Sequence, residues 1–142
     1  MKRILIVGAA LTALALPAAA QAARTNHFGK LIGEPGATMK FKESNSADGH
    51  TVTAFTVRDF ELGCSGGSLG LIKVAKLTGS ISVSPGGSFR ARDDNGRTVF
   101  NVKGQINRNK SFGTFRYSGR VETTTGSTRS CDTGKITWVT RP

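Results

Sequence analysis

From about residue 37 to the C-terminus, apolar and polar side chains alternate in short runs with a period of two. In Thr38-Met39-Lys40-Phe41-Lys42 the apolar residues alternate with basic ones, and Thr53, Phe55 and Val57 mark a second run that begins near Thr51. Leu71 to Leu77 is a short apolar run with Lys73 and Lys76 interspersed. Ile81 and Val83 alternate with serines, and Phe89 and Ala91 with Arg90 and Arg92. Thr98 to Ile106 carries Phe100, Val102, Gly104 and Ile106 on one side, and Phe112 to Val121 and Lys135 to Thr140 complete the set. A period of two puts one set of side chains on each face of a strand, so each run predicts a half-buried strand.

Turn chemistry separates the runs. Ser84-Pro85-Gly86-Gly87, Asp93-Asp94-Asn95-Gly96 and Asn107-Arg108-Asn109-Lys110 are hairpin-type connections, and Asn95-Gly96 tolerates the positive φ of a tight turn. Ser44 to Gly49 reads as a polar turn and Gly63 to Gly67 as a flexible bend. Eight or nine short strands at this spacing predict a single antiparallel β-sandwich, with a small β-barrel as the alternative. Gly79-Ser80-Ile81 leading to Ser88-Phe89 is echoed by Gly104-Gln105-Ile106 leading to Ser111-Phe112. Two similar hairpins explain that echo; a solenoid would need a sustained period.

The N-terminus follows a different rule. Lys2 and Arg3 precede the apolar run Ile4 to Leu16, Pro17 breaks it, and small residues follow through Ala23. That order describes a secretory signal peptide, cut before Ala23 or before Gln21. The expected division is therefore a signal peptide over 1–22, a flexible N-terminal segment over 23–36 and the β-sandwich domain over 37–142. The apolar run is short for a bilayer span of about 20 residues. No later run has spanning length, so no transmembrane span is expected in the mature chain. Export predicts a secreted, periplasmic or cell-surface protein. The only two cysteines, Cys64 and Cys131, lie beyond the leader and are expected to form one disulfide in an oxidising compartment. Metal ligation is not expected, because His27 and His50 sit at no ligand-like spacing, and no cofactor motif is present.

Charge changes the picture further. The 142-residue chain carries a formal net charge of +11. The excess is concentrated towards the C-terminus: between Asp94 and Glu122 there is no acid, only Arg97, Lys103, Arg108, Lys110, Arg116 and Arg120. If Phe89 and Ala91 face inward, Arg90 and Arg92 face outward, and the same alternation turns Lys103, Arg116 and Arg120 to the exposed side. A sheet face bearing Arg90, Arg92, Lys103, Arg116 and Arg120 has the forked donors that hold phosphates and carboxylates. Its expected partners are an anionic polysaccharide, a wall polymer or a lipid headgroup. Few aromatics are left over for base stacking, which argues against sequence-specific nucleic-acid recognition. The same basic residues could instead keep the exposed side soluble and discourage edge pairing.

At the C-terminus, Cys131-Asp132-Thr133-Gly134-Lys135-Ile136-Thr137-Trp138 follows Phe112-Gly113-Thr114-Phe115 and Ser118-Gly119-Arg120-Val121. Together these resemble a group of uncharacterised secreted bacterial proteins that end in a Cys–turn–Gly–strand–Trp pattern after Gly-rich hairpins. The resemblance covers roughly the last third of the chain. It implies an exported β domain and carries no activity, substrate or catalytic residue.

Catalytic chemistry finds little purchase. Gly66-Gly67-Ser68-Leu69-Gly70 fits G-x-S-x-G literally but lacks the strand-to-helix setting that gives that motif its mechanism. Ser65, Ser68, His50 and Asp59 would have to converge for a hydrolase. Asp93, Asp94 and Asn95 could contribute calcium oxygens, without the spacing of a calcium loop. Trp138 could stack on a sugar or pack inside. The sequence thus predicts a non-enzymatic secreted or cell-envelope module that contacts an anionic polymer or surface. The alternatives are a structural or protein-interaction domain and, last, a small secreted hydrolase.

Overall fold

The computed structural model describes residues 23–141, so the signal peptide assigned to 1–22 lies outside the described residues. Among the described residues there are ten strands and no helix: β1 (Ala23–Leu31), β2 (Thr38–Ser46), β3 (Gly49–Cys64), β4 (Leu69–Lys76), β5 (Ser80–Ser82), β6 (Ser88–Asp94), β7 (Thr98–Ile106), β8 (Ser111–Glu122), β9 (Thr128–Asp132) and β10 (Ile136–Arg141). Every pairing is antiparallel. All ten strands belong to one sheet, ordered β10-β1-β2-β3-β9-β8-β7-β6, with β4 and β5 attached to β3. Because β10 also pairs with β8, the hydrogen bonding returns on itself through β10, β1, β2, β3, β9 and β8. The all-β antiparallel architecture and the disulfide expected from the sequence are both present.

Two strands escaped the periodicity reading. The segment 23–36 is not a flexible lead-in: β1 pairs with β2 along one edge and β10 along the other. Its alternation is disguised because the inward positions are Thr25, a buried histidine (His27), a glycine (Gly29) and only one large aliphatic residue, Leu31. In β9 only Cys131 is buried, so its run of polar residues carries no apolar period.

Strand β3 is the longest element, at 16 residues, and pairs with β2, β4, β5 and β9. Its buried apolar residues are Val52, Phe55, Val57, Phe60 and Leu62. Two of those steps span three residues, which would turn the next side chain outward. Ala54 and Asp59, with φ of 52° and 55°, sit inside those steps. Their left-handed backbone restores the inward direction at a cost of about 1–2 kcal/mol each. At Ala54 the pairing with β2 slips by one residue, between Lys40 and Lys42. The β3–β9 junction has only two paired positions, one of which is Cys64 opposite Cys131. The disulfide therefore clamps the shortest seam of the closed circuit.

Aromatic rings fill the interior. Phe41, Phe55, Phe89 and Trp138 lie within 5.7–6.3 Å of one another, mostly edge to face. Phe100 connects Phe55 to a second group formed by Phe60, Phe115 and Tyr117. Trp138 is fully buried and its indole N–H meets no acceptor, so packing alone holds the ring. The sugar-stacking role considered for it is excluded by that burial. Gly104 and Gly113 face each other across β7 and β8 and make the slot for its edge. A Cβ on either would come within 2.8 or 2.6 Å of Trp138 Cζ2. Gly113→Ala is expected to lower stability by about 3 kcal/mol through overpacking, measured by urea unfolding.

Candidate anion-binding surfaces

Cross-strand register brings the five sequence-selected cations to one outer face of β6, β7 and β8. Arg90 lies opposite Lys103, Arg92 opposite Asn101, and Asn101 opposite Arg116. Arg120 follows on the same side of β8, opposite Ser130 of β9. All five are exposed. Two already hold carboxylates. Arg92 donates to Asp94 at 2.8 Å, and Arg116 forms a forked contact with Asp132. The Arg116 guanidinium lowers the Asp132 pKa, with a further N–H from Gly134, and Asp132 in turn raises that of Arg116. Arg92 likewise lowers Asp94. Among the described residues, Arg90, Lys103 and Arg120 make no ion pair. Asp94 Oδ1 accepts from Gly96 N–H while its Oδ2 holds Arg92, and Asn95 Oδ1 accepts from Arg97 and Thr98 N–H, so this loop is a hairpin cap. Among the described residues no cluster of His, Cys, Asp or Glu is arranged to hold a metal ion.

A second surface was not picked out in the sequence. On the outer side of β1 to β4 a groove of about 700 Å³ is lined by Lys40, Lys42, Arg58 and Lys76, with Asn26, Phe28, Thr56 and Thr78. Lys40, Thr56 and Lys76 are in register across β2, β3 and β4, which places the two ammonium stems on either side of a buried threonine floor. The connection after β4 walls one side, fixed where Leu77 N–H donates to Phe55 O at 2.9 Å. No carboxylate lines the groove, and among the described residues none of its four cations is paired. Lys40 and Lys42 were legible as outward-facing residues beside Phe41. Lys76 had no sequence signal, because only the β3–β4 register carries it there.

Two carboxylates of this half of the chain, Asp59 and Glu43, are engaged elsewhere. Asp59 approaches Lys73 at 3.5 Å. Glu43 faces the interior and is shared by two imidazoles, His27 Nε2 at 2.6 Å and His50 Nε2 at 2.7 Å. On its other side His27 Nδ1 lies 3.3 Å from Ser111 Oγ. His27 also stacks on Phe41, ring centroids 4.4 Å apart. Ser, His and carboxylate thus stand in a chain, but Ser111 is 0% exposed. The array ties β1 to β2, β3 and β8. The hydrolase set considered from the sequence is not assembled: His50 begins β3, Asp59 lies in its middle, and Ser65 and Ser68 lie beyond its end.

No known protein family, curated protein or solved structure matches the chain.

Two outcomes follow from these contacts. Glu43→Ala leaves the buried His27 without its acceptor and should cost about 1–3 kcal/mol, with faster amide exchange across β1. Asp132 is held below its ordinary value in the folded chain, so its contribution is present above the unfolded carboxylate pKa of about 3.9 and is lost as pH falls through the folded value. Thermal melting should therefore drop on acidification below about pH 4, and Asp132→Asn should flatten that drop.

Proposed function

We propose that the chain is a secreted or cell-envelope binding module, without a catalytic role, that holds an anionic polymer or surface by charge pairing from preorganised sheet faces. The observation that carries this reading is the groove on β1 to β4, where four unpaired cations converge and no carboxylate intervenes. Like charges held together on a rigid sheet repel one another, and a bound polyanion relieves that repulsion while releasing counterions. The face with Arg90, Lys103 and Arg120 extends the same field around the molecule. Arg92 and Arg116, already engaged by carboxylates, contribute less. The disulfide agrees with an oxidising location, and among the described residues no helix is long and apolar enough to cross a membrane.

A protein partner is the second reading. Strand β4 is paired along its length with β3, meets Thr123 by a single bridge at Gly70 on its other edge, and exposes Leu69, Leu71 and Val74. An open edge of that kind accepts an added strand, and such association would be insensitive to salt.

Binding to polyanions at two ionic strengths separates the readings. Affinity is expected to fall on the order of tenfold or more between about 50 and 200 mM salt. Lys40→Gln with Arg58→Gln should remove most of the low-salt binding, whereas Arg116→Gln should change it little. Binding that ignored salt and survived the double substitution would point to the β4 edge.

A further inference from the structure

The cations on the outer face of β1 to β4 are not scattered. Following the pairing register across the strands, one row contains Lys76 on β4, Lys40 on β2 and Arg141 on β10. The next row, two residues along, contains Arg58 on β3 and Lys30 on β1. Within each row the cations therefore recur at every second strand, roughly 10 Å apart for strands spaced about 4.8 Å. The two rows are offset by one strand, so their charges alternate from side to side. Neither row contains a carboxylate.

Phe28 stands in the first row, between Lys40 and Arg141, with 62% of its surface exposed. It sits in mid-strand on the outer side of the sheet rather than at a loop tip, so its ring forms part of a platform and not a wedge. Phe112, two strands away, has Lys110 Nζ over its ring at 5.8 Å and presents a cation instead of an open face.

We propose that this face is a track for a linear acidic polysaccharide bearing one anionic group per disaccharide, its chain running across the strands with one pyranose ring stacked on Phe28. The proposal rests on the polyanion reading above and names the ligand class. Three observations select it. The interval between cations within a row matches the length of two linked pyranose rings, whereas phosphates along a nucleic-acid or polyphosphate chain follow at closer intervals. An exposed ring held in mid-strand, as Phe28 is, offers its face to the apolar face of a sugar. The disulfide agrees with an oxidising location, where extracellular polymers are the abundant polyanions.

The test compares binding of the full, disulfide-intact protein to three probes by calorimetry at low salt: hyaluronan decasaccharide, long-chain polyphosphate and oligothymidylate. Hyaluronan should bind most tightly. Phe28→Ala should weaken hyaluronan about tenfold and leave polyphosphate unchanged, while Phe28→Trp should keep or tighten hyaluronan binding. Phe28 is exposed, and a thermal melt of each variant confirms that the fold is intact. Equal affinity for all three probes, a preference for oligothymidylate, or an equal effect of Phe28→Ala on hyaluronan and polyphosphate would overturn the polysaccharide track and leave the polyanion reading standing. No binding of any probe would overturn both.

Discussion

The structure depends on one strand being able to pair with four others while keeping a single face towards the core. A 16-residue strand that alternated strictly would meet β2, β4, β5 and β9 only by turning part of its apolar set to solvent. Left-handed residues at Ala54 and Asp59 solve this by inserting a step without changing face. The twist they add lets β3 serve β2 and β5 at one end and β4 and β9 at the other. Phe55, Val57 and Phe60 then all reach the aromatic interior, and Trp138 closes it over Gly104 and Gly113. The backbone strain at two positions is offset by burial of rings that contribute on the order of 2–3 kcal/mol each.

The same geometry decides where charge is exposed. Residues 23–89 contain acids as well as bases and look nearly balanced in sequence. Folding separates them. Glu43 is drawn inward by two imidazoles, and Asp59 sits at the backbone kink beside Lys73. What remains on the outer side of β1 to β4 is a carboxylate-free groove. The C-terminal half, with the larger formal excess, moves the other way: Arg92 and Arg116 each find a carboxylate through a local turn or a neighbouring strand. Net charge per segment was therefore a poor guide to which face is available to a ligand, because Coulomb attraction acts on distance in space.

Much of the architecture was legible because period-two alternation is a local property: each side chain's face follows from its neighbours in the chain. The outward direction of Arg90, Arg92, Lys103, Arg116 and Arg120 followed from it, as did the inward direction of Phe89, Phe100 and Phe115. Pairing of Cys64 with Cys131 followed from their being the only two cysteines. The alternation failed where the inward residue was not apolar. His27 and Gly29 hid β1, and the polar run around Cys131 hid β9.

By itself, then, the sequence determined the strand-rich class, the disulfide, and which side chains of most strands face out. Only the tertiary structure decided the closed order of the strands, the convergence of Lys40, Lys42, Arg58 and Lys76, and the union of His27, Glu43, His50 and Ser111. The reason is physical. Facing is set by adjacent residues, whereas register between strands distant in the chain is set by the whole core finding its densest packing, and no local pattern encodes that sum.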